Sequence, residues 1–192
     1  MDFLTVIIVL ILLILIIIIF PCVRAINKMS QGCQIYNPEF ITVIDLNKYQ
    51  GLWYEVARLP NPFQNGCKNT TALYTLNKNG TLNIKNQCKI NGKDINVNGT
   101  AYANYPSRSI TNQIGNFKVY FENNPFAGEY NVIYVDANYQ YAMVGTNNRK
   151  YLWLLSRTKN VDDEQKEFML KIAKNYGFNI DNLIFGINNI SA

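Results

Sequence analysis

Between Trp53 and Ser156 the chain is cut into short aromatic and β-branched runs by Gly, Asn and Pro, at intervals of roughly 8 to 14 residues. Eight candidate strands follow: Trp53 to Leu59, Thr70 to Leu76, Thr81 to Cys88, Asn96 to Ala103, Asn116 to Phe121, Tyr130 to Val135, Tyr141 to Thr146 and Tyr151 to Ser156. The 13 Tyr and 10 Phe of the 192 residues fit this reading, because aromatic and β-branched side chains suit a half-buried pleated surface. The pattern is all-β, an antiparallel barrel or a sandwich. The clearest local signal is Lys78-Asn79-Gly80, a three-residue loop whose Gly supplies the left-handed position of a bulged hairpin. It pairs Asn77 with Thr81 and puts Ala72, Tyr74 and Leu76 on the face of Leu82 and Ile84, with Thr75, Asn83 and Lys85 opposite.

One α-helix breaks the pattern. Asp162 is a natural N-cap, Gln165 stands three residues on, and Asp163 and Glu164 suit the first turn. Phe168, Met169, Ile172, Ala173 and Tyr176 recur at helical spacing, and Gly177 ends the helix. That stripe is expected to pack on the outside of the strands, and Leu183 to Ile187 reads as a short terminal strand.

Residues 1–25 are read as a signal peptide or membrane anchor, because Phe3 to Phe20 is an almost unbroken apolar run just long enough to span a bilayer. Cleavage after Ala25 would release the chain, whereas an uncleaved run would hold it to a membrane through residues 3–20. Arg24 and Lys28 alone favour a cytosolic downstream side. The cysteines and the sequons at Asn69, Asn79, Asn98 and Asn189 favour the other orientation, so the chain is expected to be exported, secreted or membrane-associated on the non-cytosolic side. Residues 26–42 read as an extended arm and 43–192 as the folded domain.

There is no histidine, which removes Ser-His-Asp and Cys-His nucleophiles, His-ligated zinc and a His general base. The net charge of +5 is scattered, with no basic run interleaved with stacking aromatics, so nucleic acid is not expected as a partner. No metal or cofactor is called for. Cys67 opens the second strand and Cys88 closes the third, near the same end of one hairpin. Regular pairing sets Cys88 opposite Thr70, but a curl at Asn65-Gly66 could bring Cys67 within reach, and a Cys67–Cys88 disulfide is expected.

Gly51-Leu52-Trp53-Tyr54-Glu55 at the start of the first strand and Leu154-Leu155-Ser156-Arg157 at the end of the last resemble the first and third signature regions of the lipocalins. Val135-Asp136-Ala137-Asn138-Tyr139, followed by Tyr141-Ala142-Met143-Val144, looks like a divergent second region. The resemblance runs from about Val43 to Phe185. From Tyr151 through the helix it is especially similar to the group of bacterial outer-membrane lipocalins, plant temperature-induced lipocalins and apolipoprotein D. It implies an eight-stranded antiparallel up-and-down barrel with the helix outside, one end sealed by the Trp53 indole under the Arg157 guanidinium. Gly51 would let the backbone pass close to that ring. Such a cation–π contact contributes about 0.5 to 2 kcal/mol. These three residues are scaffold.

Alternation anchored on an inward Trp53 gives the expected ligand-binding wall: Ala72, Tyr74, Leu82, Ile84, Val97, Ala101, Phe117, Val119, Phe121, Tyr130, Val132, Tyr134, Ala142, Val144, Tyr151 and Trp153. The three alanines argue for space inside, and the Tyr hydroxyls for orienting a polar head group. The resemblance therefore implies binding, transport or storage of a small hydrophobic ligand, a fatty acid or lysophospholipid, and no enzyme. Two alternatives stand beside it. Cys67-Lys68 resembles the neighbourhood of the reactive cysteine in lipocalin-type prostaglandin D synthase, which would make the chain a Cys67-dependent isomerase. A retained anchor would instead display the barrel as an interaction module, binding a partner through the loops Asn61 to Cys67 and Tyr105 to Asn116. Cys33 lies where apolipoprotein D has a bridged cysteine, but no cysteine stands at the matching partner region around Gly145. Cys33 is therefore free or pairs between chains, which leaves a homodimer open.

Overall fold

The computed structural model describes residues 40, 42–122 and 124–186. The apolar run, most of the arm, Cys33 and Asn189 lie outside the described residues.

All eight expected strands form one closed antiparallel barrel. In chain order they are β2 (Gly51–Arg58), β3 (Lys68–Leu76), β4 (Leu82–Ile90), β5 (Lys93–Ala103), β7 (Asn116–Phe121), β8 (Gly128–Val135), β9 (Tyr141–Gly145) and β10 (Leu152–Ser156). Each pairs with the next, and β10 pairs with β2 to close the ring. The hairpin at Gly80 forms in the expected register, Leu76 opposite Leu82 and Tyr74 opposite Ile84, with Gly80 at φ +82°. Asn77 N–H donates to Thr81 O at 2.8 Å.

The elements without a sequence signal of their own sit at one end. β1 (Val43–Asp45) runs directly into α1 (Leu46–Tyr49), and β1 pairs with β6 (Asn112–Ile114), a short strand inside the long β5–β7 connection. Leu46 N–H donates to Thr111 O at 2.7 Å, tying the two segments together. Ile44, Leu46 and Tyr49 are fully buried and stop the barrel from below.

The C-terminal helix, α2 (Asp163–Asn175), starts where expected, with the Asp162 carboxylate accepting from Gln165 N–H at 2.7 Å. Met169 and Ala173 are completely buried against Val56, Ala57, Ile133, Met143, Leu152 and Leu154, the outward side chains of β2, β8, β9 and β10. The terminal strand is shorter than expected. It is β11 (Ile184–Phe185), and it pairs with β2 at Arg58 and Ala57. There β2 has already parted from β3, since their pairing ends at Tyr54 and Thr71.

Two bulges decide which side chains face inward. Across β10 and β2, Leu154 faces Ala57 but Leu155 faces Glu55, so Val56 is an extra residue. Across β8 and β9, Val132 faces Val144 and Tyr134 faces Met143, so Ile133 is extra. This corrects the expectation for Tyr134: it lies outside the barrel, edge-on to Phe168 of α2 with ring centres 5.9 Å apart. Alternation resumes past the bulge, and Val135 packs on the interior.

Candidate functional site

The barrel interior has two halves of different character. In the lower half, Trp53, Ala72, Tyr74, Leu82, Ile84, Ala101, Phe117, Val119, Val132, Ala142 and Val144 pack with Tyr49 and Leu155 into one buried cluster. Leu155 was not among the expected wall residues, although it shares the inward parity of Trp153 on the regular strand β10 and faces Ala142. The alanines do not leave a void here. Ala72 faces Trp53 and Ala142 faces Leu155, so each small residue gives room to a large neighbour. Gly99 does the same for Phe121, whose ring carbon would lie 2.8 Å from a Cβ at that position.

Trp53 is the floor. Its Nε1 donates to Tyr49 O at 2.8 Å, and the Arg157 guanidinium carbon lies 3.7 Å from the ring centre. Gly51, at φ +98°, is held beside this stack, and a Cβ there would come within 3.3 Å of Arg157 Nη1. Three tyrosines above the floor bond to each other. Tyr49 and Tyr130 share a hydroxyl–hydroxyl bond of 2.7 Å, and Tyr130 donates to Tyr74 at 2.9 Å. Burial pushes all three hydroxyl pKa values up, that of Tyr74 to about 12. They are neutral, mutually satisfied structural groups.

The upper half is open. β4, β5 and β7 keep their alternation, so Ile95 and Val97 share the face of the buried Ala101 and stand opposite Cys88 and Asn86. Yet each remains 41% exposed. Phe121 and Trp153 are half-buried against the cluster below them, and Tyr151 stacks obliquely on Trp153 at 6.2 Å. These residues ring the end away from Trp53, and the exposed Phe63 meets Tyr151 edge-on at 5.6 Å.

One side of this mouth is polar and tightly tied. A 3₁₀ turn, Pro62–Gln64, folds the β2–β3 loop inward. Gln64 Oε1 accepts from Trp153 Nε1 at 2.7 Å, and its Nε2 donates to Glu55 Oε2 at 2.7 Å. Arg58 Nη1 donates to the other Glu55 oxygen, and Nη2 donates to Gln64 O and Cys67 O, each at 3.1 Å. Glu55 and Arg58 are both buried. Burial pushes the Glu55 carboxyl pKa up, opposed chiefly by Arg58. The sequence reading missed this pair. Inward parity with Trp53 marked Glu55, but only the bulge at Val56 turns Arg58 to meet it.

Cys67 and Cys88 are joined, with Cα atoms 5.4 Å apart. The slack comes from a bulge between Lys68 and Thr71, with Asn69 at φ +53°, in addition to Gly66 at φ +75°. Bonded in this way, Cys67 has no thiolate to serve as a nucleophile. The two loops of the interaction-module reading lie at opposite ends: the β2–β3 loop is at the mouth, whereas the β5–β7 connection holds β6 at the closed end. No helix among the described residues is long and apolar enough to cross a membrane.

The family model of the lipocalin-like domain matches residues 44–187. The chain is 37% identical to the outer membrane lipoprotein Blc of Escherichia coli over 154 residues, covering 77% of this chain and 83% of that one. It is 36% identical to temperature-induced lipocalin-1 of Arabidopsis thaliana over 149 residues, 76% and 80% of the two chains. Among solved structures, insecticyanin of the tobacco hornworm superposes with a TM-score of 0.61 at 23% identity, over 81% of this chain and 87% of that one. Apocrustacyanin C1 does so with a TM-score of 0.59 at 21% identity, over 86% of each chain. Barrel topology, the Trp53–Arg157 floor and these matches agree: the chain belongs to the lipocalin family.

Proposed function

We propose that the protein binds a small hydrophobic ligand, a fatty acid or lysophospholipid, reversibly in the upper half of its barrel and carries or stores it on the non-cytosolic side of a membrane. One observation carries the reading: Ile95 and Val97 point to the same side as the buried Ala101 but are 41% exposed. Side chains of that size on the inward face of a filled barrel would be covered. An eight-stranded barrel is just wide enough to hold one small ligand. The Cys67–Cys88 bridge and the kinship with an outer-membrane lipoprotein support an oxidising, non-cytosolic location.

An acyl chain with about 14 buried methylenes gains on the order of 11 kcal/mol at about 0.8 each. Association costs of about 4 kcal/mol or more bring this to low-micromolar affinity or weaker. That suits a carrier that must release its cargo. The test is tryptophan fluorescence during titration with saturated fatty acids and lysophospholipids. The chain has two tryptophans, Trp53 in the floor and Trp153 at the mouth, so the saturable change should vanish in Trp153→Phe. Absence of saturable binding by any member of the series overturns the reading.

A further inference from the structure

A seam opens in the barrel wall where β2 leaves β3 after Tyr54 and Thr71 and takes β11 as its neighbour instead. It encloses a cavity of about 250 Å³, lined by Glu55, Arg58, Lys68, Thr70 and the backbone-rich stretch Ile184 to Gly186, among others. Among the described residues, two buried side-chain polar atoms have no hydrogen-bond partner: Arg58 Nε and Thr70 Oγ1. Both residues line this one cavity. Thr70 lies near the Glu55 carboxyl but without a bond of good geometry.

An unsatisfied buried polar group costs about 1 to 3 kcal/mol, and two converging on one cavity mark a place where an acceptor is wanted. Arg58 Nε only donates, and the Thr70 hydroxyl donates as readily. The charge is equally specific. Glu55 neutralises Arg58 by direct contact, and the exposed ammonium of Lys68 leaves the lining one positive charge in excess. A single oxygen anion fits both requirements, whereas a doubly charged group would exceed the balance. Ile184 and Phe185 add partly exposed apolar surface beside it.

We propose that this seam is a carboxylate-binding subsite, in which Arg58 Nε and the Thr70 hydroxyl donate to the carboxylate oxygens and Lys68 supplies the compensating charge. Building on the lipid-binding reading, it assigns the seam to the head group of a fatty acid; a separate short carboxylate would be held by the same chemistry. Arg58 and Gln64 link the site to Trp153 by hydrogen bonds, so occupancy is readable at that indole.

The experiment titrates the full chain with hexadecanoate, its methyl ester and hexanoate, in wild type and in the double variant Lys68→Gln, Thr70→Val. Trp153 fluorescence is the readout. The expected result is about tenfold tighter binding of hexadecanoate than of the ester in wild type, with the acid falling to the ester's affinity in the variant. Unchanged ester binding shows that the variant is folded. Equal affinities for acid and ester in wild type, or a variant that weakens both or neither, overturn the seam site while the lipid-binding reading stands. Binding of hexanoate alone, lost in the variant, supports the seam and overturns the lipid reading. No saturable binding of any probe overturns both.

Discussion

The Arg157 guanidinium covers the Trp53 indole at 3.7 Å and at the same time donates to the carbonyls of Lys48, Tyr49, Gln50, Leu52 and Tyr139. One side chain therefore ties the end of α1, the start of β2 and the β8–β9 turn onto the floor. Lysine keeps the charge but not the planar five-donor fork. Arg157→Lys should lower stability by about 2 to 3 kcal/mol and Arg157→Ala by about 3 to 4. Urea midpoints should fall with the m-value unchanged, and equal midpoints for wild type and Arg157→Lys would show that the fork is dispensable.

Gly51 is constrained by both its own backbone and the arginine. At φ +98°, with Arg157 Nη1 3.3 Å from the position of an added Cβ, Gly51→Ala should cost about 1 to 3 kcal/mol. In the Arg157→Ala background the steric part should shrink and the backbone part persist, which a double-mutant cycle measures.

The three bonded tyrosines set an alkaline limit. A phenol whose pKa rises on folding contributes stability while it stays protonated. That contribution is complete below the unfolded value of about 10 and disappears as pH rises through the folded value, about 12 for Tyr74. Melting temperatures should therefore fall from pH 10 upward, and Tyr74→Phe should fall less steeply over that range. Parallel curves would remove Tyr74 from the cause.

The bridge between Cys67 and Cys88 closes a loop with a sequence separation of 21. Chain entropy assigns it about 3 kcal/mol. The double variant Cys67→Ala, Cys88→Ala should lose that amount in denaturant titrations and, if the cysteines do no chemistry, keep its lipid affinity.

Val97 separates binding from folding. At 41% exposure on the inward face, Val97→Asp should change stability by no more than about 0.5 kcal/mol. It should weaken fatty-acid binding at least about tenfold, because a carboxylate would face the acyl chain. Unchanged affinity would move the ligand elsewhere.

The strands, the hairpin at Gly80 and the N-cap at Asp162 were legible in the sequence because each rests on residues close in the chain, whereas the floor joins the distant Trp53 and Arg157 and was legible only through the resemblance of the two motifs that carry them. What escaped it came from register. Alternation assumes two residues per repeat, and the extra residues Val56 and Ile133 break that count, turning Arg58 inward and Tyr134 outward. No local signal announces a bulge of this kind. The small residues were visible, but whether an alanine leaves space depends on what lies across the barrel, and opposite Ala72 that is Trp53. β1 and β6 stand about 70 positions apart and each has only three residues, too few for a pattern.

The pairing of β11 with β2 has a consequence for how the molecule is made. Residues 57 and 58 leave the ribosome well over a hundred positions before their partner stave, residues 184 and 185. The wall stays unfinished through that whole stretch of synthesis, with one edge of β2 unpaired and able to recruit other strands. Its completion is a long-range, late event, so a chain halted before residue 184 should be the species most dependent on chaperones.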